Sequence, residues 1–318
     1  MNEINILANK VTENIGKVII GKKNEIHLVL SAFFAGGHVL LEDVPGTGKT
    51  MLARSLARSF DLSFSRVQFT PDLLPSELTG INFYSPKTGE FTFRKGSLFA
   101  NIILADEINR ATPRTQSGLL ESMEEGQISV DGTTYKLDMP YFVIATQNPI
   151  ETQGTFPLPE AQLDRFLVQL NLGYPTSLES VLAAKNNINE TPLQKIEPVC
   201  DVNDYKNISA SIKSVHIHDD VYGYIVELAE ATREHDAIDL GVSTRGVIAL
   251  AKLSRVYALV QGRDFVTPQD IQFLLPYVFS HRILLRGGLH GRLSKVKSLL
   301  EEIVAGIKVP VEKWKGIE

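Results

Sequence analysis

The sequence has a single cysteine among 318 residues, so no intrachain disulfide can form and packing alone must hold the fold. Cys200 itself reads as a small apolar filler. No uninterrupted apolar run is long enough to span a bilayer. The most apolar helical stretch, Val247 to Val260, is broken by Lys252 and Arg255. The first ten residues, MNEINILANK, lack the apolar stretch and small-residue site of a secretory leader and carry Glu3. A reducing cytoplasm is therefore the expected location. There is no basic excess: 32 Lys and Arg stand against 37 Asp and Glu, a net charge of −5. The electrostatic footprint of a nucleic-acid binder is missing from the chain as a whole. No internal repeat and no low-complexity segment interrupts the sequence.

What remains is an ordinary globular composition, with 43% hydrophobic and 22% charged residues. The length suits two domains, or one large domain with a lid. Five runs rich in Val, Ile, Leu and Phe predict buried strands: His38–Glu42, Phe64–Phe69, Asn101–Ala105, Tyr141–Thr146 and Leu167–Leu172. Helical patterns such as Thr50–Ser59 and Pro113–Glu124 separate them, which predicts a three-layer α/β domain on a mostly parallel sheet. Two hairpins break that rhythm. Ile81–Arg94 alternates around Pro86 to Gly89, and Gln127–Leu137 turns at Asp131-Gly132. Both are expected to project from the domain rather than build its core. After Tyr174-Pro175 helical signals take over, including a cap and first-turn proline at Thr267-Pro268-Gln269-Asp270. The expected domains are 1–173 and a helical lid at 174–318, with a polar loop from Asn186 to Asn207.

Chemistry concentrates at three strand ends. Val44-Pro45-Gly46-Thr47-Gly48-Lys49-Thr50 follows the first strand and opens a helix, which is the context a phosphate-binding loop requires. Glycines let backbone N–H groups wrap phosphates, and the helix N-terminus adds positive potential. Lys49 would reach the β- and γ-phosphates, and Thr50 would ligate Mg²⁺. The first glycine of the usual pattern is absent. Asp43 stands there and is expected to take a backbone turn that few other residues tolerate. The strand Ile102–Ala105 ends in Asp106 and Glu107, where ligands bind in open α/β sheets. Asp106 is read as the Mg²⁺ holder and Glu107 as the base for an attacking water. The third strand ends at Gln147-Asn148-Pro149, where Asn148 either helps place that water or simply starts a turn. The guanine-reading pattern Asn-Lys-x-Asp is absent; Asn9-Lys10-Val11-Thr12 lacks the acid, so GTP is not the expected nucleotide.

The set LLEDVPGTGKT, ILADEINRA, QSGLLESMEEGQI, ATQNPIETQGTFPLPEAQLDRF and VSTRG resembles the MoxR family of AAA+ ATPases. The match runs from about Ile19 to Leu172 and continues more loosely beyond. The MoxR version of the loop is similar at Asp43 as well. The resemblance implies an αβα P-loop NTPase core with a five-stranded parallel sheet in the order 5-1-4-3-2 and a C-terminal all-helical lid. It implies ATP and Mg²⁺, bound by Gly21, Asp43, Val44, Pro45, Gly46, Thr47, Gly48, Lys49, Thr50 and Met51, with Thr50 and Asp106 toward the metal. It makes Glu107 the catalytic base, Asn148 the sensor 1 residue, Arg165 the arginine finger and Arg245 the sensor 2 arginine. Gly21 falls in the N-linker segment that packs on adenine. Residues from about 71 to 97 match the helix-2 insert, and those from about 127 to 137 the pre-sensor-1 hairpin. The implied assembly is a homo-oligomeric ring, usually a hexamer, acting on client proteins that in relatives include von Willebrand factor A-type domains.

Spacing alone leaves alternatives. Arg165 precedes the last strand, where a finger for a neighbouring subunit would sit, yet it could equally pair with Asp164 or Glu160. Arg245 near a helix start opposes the helix dipole unless a phosphate lies there, and it could also be a solvent-facing arginine. Arg110 and Arg114 follow the acids closely and rank below Arg165. The segment Ile271 to Leu300 has no acid and carries Arg282, Arg286, Arg292, Lys295 and Lys297. It lacks the interleaved aromatics of a nucleic-acid groove and reads as lid surface. Competing functions are a nucleic-acid motor, against which the net charge speaks, and a nucleotide-gated scaffold, against which Glu107, Asn148 and Arg165 speak.

Overall fold

The structure, a computed structural model, describes residues 3–148, 154–189, 192–287 and 293–310. Pro149 to Gln153 of the long motif and Arg292 of the basic segment lie outside the described residues. The chain divides into two compact units, Glu3–Ala210 and Ser211–Glu318.

The first unit opens with α1 (Glu3–Gly16), α2 (Lys23–Phe34), β1 (Val39–Glu42), α3 (Lys49–Ser59) and β2 (Phe64–Gln68). There follow α4 (Pro75–Thr79), the hairpin β3 (Gly80–Ser85) and β4 (Glu90–Lys95), then β5 (Ile102–Asp106) and α5 (Pro113–Glu125). A second hairpin, β6 (Gln127–Val130) and β7 (Thr133–Lys136), precedes β8 (Phe142–Gln147), α6 (Glu160–Leu163) and β9 (Val168–Leu170). Helices α7 (Ser177–Asn189) and α8 (Val202–Ser211) close the unit. The five sheet strands lie in the order β2-β5-β8-β1-β9, every pair parallel. Counted within the sheet and read from β9, this is 5-1-4-3-2, the expected order.

Side chains alternate across the strands, so the sheet is buried on both faces. On one face Leu40, Ile103, Ala105, Val143 and Ala145 join Leu119, Leu120 and Met123 of α5 in a single cluster. On the other, Phe142 meets Phe33 of α2 edge to face at 5.2 Å, and Phe33 meets Phe60 at the same distance. These are the three expected layers.

Three expectations change in detail. The segment 186–207 is mostly ordered rather than a polar loop. It contains the end of α7, a 3-10 turn at Pro192–Lys195 and the start of α8. Ile196, Cys200, Tyr205 and Ile208 are buried. The backbone N–H groups of Val199 and Cys200 donate to the Ser59 carbonyl at 2.9 and 3.0 Å, and Tyr205 packs on Phe33 at 4.8 Å. These anchors tie the segment to α2 and α3, so the compact first unit runs to Ala210 rather than ending near Gly173. The second hairpin is also part of the core at its root. Ile128 and Leu137 are 3% and 7% exposed and belong to the α5-side cluster. Its turn is as expected, with positive φ at both Asp131 (49°) and Gly132 (80°). The two hairpins are joined, since Phe93 stacks on Tyr135 at 4.1 Å and Asn82 Nδ2 donates to Asp131 at 2.8 Å.

The second unit contains α9 (Asp219–Glu234), β10 (Ile238–Leu240), α10 (Thr244–Val260), α11 (Pro268–Phe279), β11 (Leu284–Leu285) and α12 (Leu293–Gly306). The antiparallel pair β10 and β11 is an addition to the expected all-helical lid. Thr267 and Asp270 form the reciprocal cap that the sequence predicts, and Arg263 grips the Asp270 carboxylate at 2.6 and 2.8 Å. Among the described residues no helix is long and apolar enough to cross a membrane.

Candidate active site

The loop between β1 and α3 has the backbone that a phosphate cradle needs. Gly46 and Gly48 adopt φ of 89° and 93°, a region costly for residues with a Cβ, and Gly48 caps α3. A Cβ on Gly46 would meet nothing within 4 Å, so that turn faces open space. Lys49 opens α3 and folds back over its own loop, donating to the carbonyls of Asp43 at 2.9 Å and Val44 at 3.3 Å. Val44, Pro45, Thr47, Thr50 and Met51 are all partly or fully exposed along this loop and the first turn of α3.

Asp43 does not do what its place in the pattern suggests. Among described residues other than glycine, positive φ occurs at Asp61, Glu107 and Asp131, and Asp43 is not one of them. Its side chain explains it instead. The buried carboxylate accepts from Leu172 N at 2.7 Å and Gly173 N at 2.9 Å. It thus clasps the exit of β9 to the start of the loop. Beside it, burial pushes the Glu42 carboxyl above the usual range, with a Gln169 hydrogen bond opposing and the Asp43 charge adding to the rise.

The acids sit at the end of β5, one strand removed from the loop, with β8 between them. Strand β5 is fully buried, so Asp106 emerges from an apolar wall at 9% exposure. Its Oδ1 accepts the Thr146 hydroxyl at 2.7 Å, and its Oδ2 accepts Arg66 Nη2 at 2.7 Å and Nε at 3.2 Å. Glu107 adopts φ 57°, ψ 51°, a left-handed turn that lifts it off the strand direction, and its N–H bonds Thr146 Oγ1 at 2.9 Å. Its carboxylate takes Gln68 Nε2 at 2.9 Å and Arg110 at 3.3 Å. Asn148, 8% exposed, follows directly on β8, whose last residue, Gln147, accepts the Asp43 N–H at its carbonyl at 3.3 Å. Thr50 and Asp106 form an all-oxygen donor pair suited to a hard cation such as Mg²⁺. The left-handed glycines and the N-terminus of α3 fit a polyphosphate.

The remaining predicted residues fall elsewhere. Gly21 has φ 76°, and a Cβ there would lie 1.7 Å from the Glu179 carboxylate of α7. Two residues before it, Ile19 reaches the P-loop, its Cδ1 3.3 Å from where a Cβ on Gly48 would stand. Arg165 follows α6 and is held against α5, donating to the Leu120 carbonyl at 2.8 Å and pairing with Glu124 at 3.0 Å. Glu124 is therefore a partner, where the sequence suggested Asp164 or Glu160. Arg114 is exposed on the first turn of α5, and Arg245 is exposed on the first turn of α10 in the second unit.

Sequence reasoning passed over Arg66, Gln68 and Thr146. Parallel register sets Gln68 opposite Asp106, with Arg66 two residues behind on the same face. The available signal was a charged and an amide side chain alternating along a strand that should otherwise be buried.

Residues 38–168 match the family described as ATPase family associated with various cellular activities (AAA), and residues 230–302 match the AAA lid domain. The chain is 47% identical to the uncharacterized protein YeaC of Bacillus subtilis, covering 98% of this chain and 97% of that protein. It is 37% identical to Chaperone MoxR1 of Mycobacterium tuberculosis, over 89% of this chain and 77% of that one. A crystal structure of a candidate ATPase from Cytophaga hutchinsonii superposes with a TM-score of 0.88 at 37% identity, covering 97% of this chain and 96% of the other.

Proposed function

Because the chain belongs to the MoxR family of AAA+ ATPases, we propose that it binds ATP with Mg²⁺ in the loop before α3, hydrolyses it, and uses the cycle to remodel client proteins. One observation carries the reading. Left-handed glycines open α3 at the end of β1, and an acid pair ends β5, with the strand bearing Asn148 between them. Lys49 turns from its own loop carbonyls to the β- and γ-phosphates. Thr50 and Asp106 would hold the metal, which would offset the charge of the phosphates when bound. Glu107 leaves Gln68 and Arg110 to take the proton of the attacking water, and Asn148 orients that water. Arg165 of one subunit completes the site of its neighbour, and Arg245 is the sensor 2 arginine. Gly21 and Ile19 border the adenine.

The working form in this reading is a cytoplasmic homo-oligomeric ring, expected to be a hexamer, whose clients include proteins with von Willebrand factor A-type domains. A relative named as a chaperone supports the remodelling role alone. Two variants test the chemistry. Lys49→Ala should lose ATP binding, and Glu107→Gln should retain nucleotide through gel filtration while turnover stops. Parental turnover in Glu107→Gln would remove Glu107 from its role. Client capture by Glu107→Gln, absent with Lys49→Ala, tests the remodelling.

A further inference from the structure

A lone carboxylate at the end of a fully buried strand is costly, because burial penalises its charged form. Asp106 is in that position, and the structure shows what offsets the cost. Thr146 satisfies Oδ1, and the Arg66 guanidinium caps Oδ2 through two nitrogens at 2.7 and 3.2 Å. The Arg66 side chain is 46% exposed while that of Asp106 is 13% exposed. The arginine therefore stands on the solvent side of the pair, on the approach to the carboxylate. A guanidinium cannot shed its charge at any working pH. A divalent ion drawn to the same oxygen, directly or through its water, meets a fixed positive charge within a few ångström.

Resting on the nucleotide site proposed above, we propose that Arg66 is a positioning residue that acts as the resident counter-ion of Asp106 and competes with Mg²⁺ for it, so that it sets the magnesium requirement of nucleotide binding. The same side chain reaches the second acid. Arg66 Nη2 also donates to Gln68 Oε1 at 3.3 Å, which turns the Gln68 amide so that its Nε2 donates to Glu107 at 2.9 Å. One cation on β2 thus anchors both acids, Asp106 directly and Glu107 through an amide. A metal that draws Asp106 away from Arg66 also loosens the bond restraining Glu107. The arrival of the metal and the freeing of the base become one event.

The test is binding, separate from turnover. Mg²⁺ is titrated against a fluorescent, slowly hydrolysed ATP analogue for the parent, Arg66→Gln and Arg66→Lys, and the analogue's affinity is also measured with EDTA. A half-exposed ion pair of this kind shifts an equilibrium by about two- to fivefold. The Mg²⁺ midpoint should fall by about that factor in Arg66→Gln, and by less in Arg66→Lys, which keeps the charge but not the fork. Affinity without Mg²⁺ should stay level or weaken, since a cation near the phosphates has gone. A merely structural role would lower both affinities together and leave the midpoint in place. An unchanged or raised midpoint in a folded Arg66→Gln overturns the proposal while leaving the nucleotide site intact. If Arg66→Gln does not fold, the midpoint of Arg66→Lys decides with the same sign. A parent that binds no nucleotide overturns the site reading, and this proposal with it.

Discussion

Replacing Asp43 with glycine would bring the loop into line with the general phosphate-loop pattern, and it should nonetheless destabilise the protein. The backbone at Asp43 needs no left-handed freedom, so glycine brings no relief there. Its carboxylate, 4% exposed, accepts two backbone N–H groups, at 2.7 Å from Leu172 and 2.9 Å from Gly173. A hydrogen bond to a charged group contributes about 1.5–3 kcal/mol net. Leu172 is 1% exposed, so its N–H would lose its partner with little water to replace it, whereas Gly173 is partly open and can recover some of the loss. Glycine also adds about 0.5–1 kcal/mol of backbone entropy cost. The expected loss for Asp43→Gly is about 2–5 kcal/mol, with Asp43→Asn losing about half because one oxygen remains. For a unit of this size that lowers the melting temperature by roughly 5–15 °C. Urea unfolding followed by circular dichroism, run on the parent, Asn, Ala and Gly variants, gives the order directly. An Asp43→Gly protein within about 0.5 kcal/mol of the parent would refute the clasp and return Asp43 to a conformational role.

Four further outcomes follow from the geometry. Ile128→Ala, at the buried root of the second hairpin, should cost about 2–4 kcal/mol, while Thr134→Ala on its exposed arm should change stability by less than about 0.5; equal effects in thermal melts would place the root outside the core. Burial raises the folded Glu42 carboxyl above 4.5, so its contribution is fully present below that pH and is lost as pH rises through the folded value; Glu42→Gln should therefore gain stability over the parent at neutral pH and not at pH 4. Burial also lowers the folded His27 imidazole below 6.5, the opposite sign, so stability should fall as pH drops from that point, and His27→Gln should flatten the slope in unfolding measured against pH. Arg165→Ala should bind ATP but hydrolyse it about 10³-fold or more slowly, and mixing it with Lys49→Ala should restore some ATPase because a mixed ring holds an intact interface; no recovery at any ratio, or normal turnover in Arg165→Ala, would exclude the finger.

The sheet was legible because its strands are apolar enough to name themselves, and the loop, acids and Asn148 stand at their ends. Arg66 and Gln68 were not, because their meaning depends on which strand lies beside β5. Periodicity along Phe64–Gln68 reports which residues share a face and says nothing of the neighbour across it. The extent of the first unit was hidden for a different reason. Polar and charged residues predominate from Asn186 to Asn207, and the buried Ile196, Cys200, Tyr205 and, just beyond, Ile208 are spaced too irregularly to reveal an anchored segment. Asp43 misled in the opposite direction, since its residue type suits a strained turn and its carboxylate was recruited for a clasp.

Helix α5 has a mechanical meaning beyond its packing. Its 13 residues form a rod about 20 Å long. It starts three residues after Arg110, which grips Glu107; along its length it holds Arg165 through Leu120 and Glu124; and its far end runs through Gly126 into the second hairpin. That hairpin is stapled to the first by an aromatic stack and an amide–carboxylate bond. A pull on either hairpin tip is therefore shared by both arms and passed along one shaft to Arg165 and to the turn that carries Glu107 and Arg110.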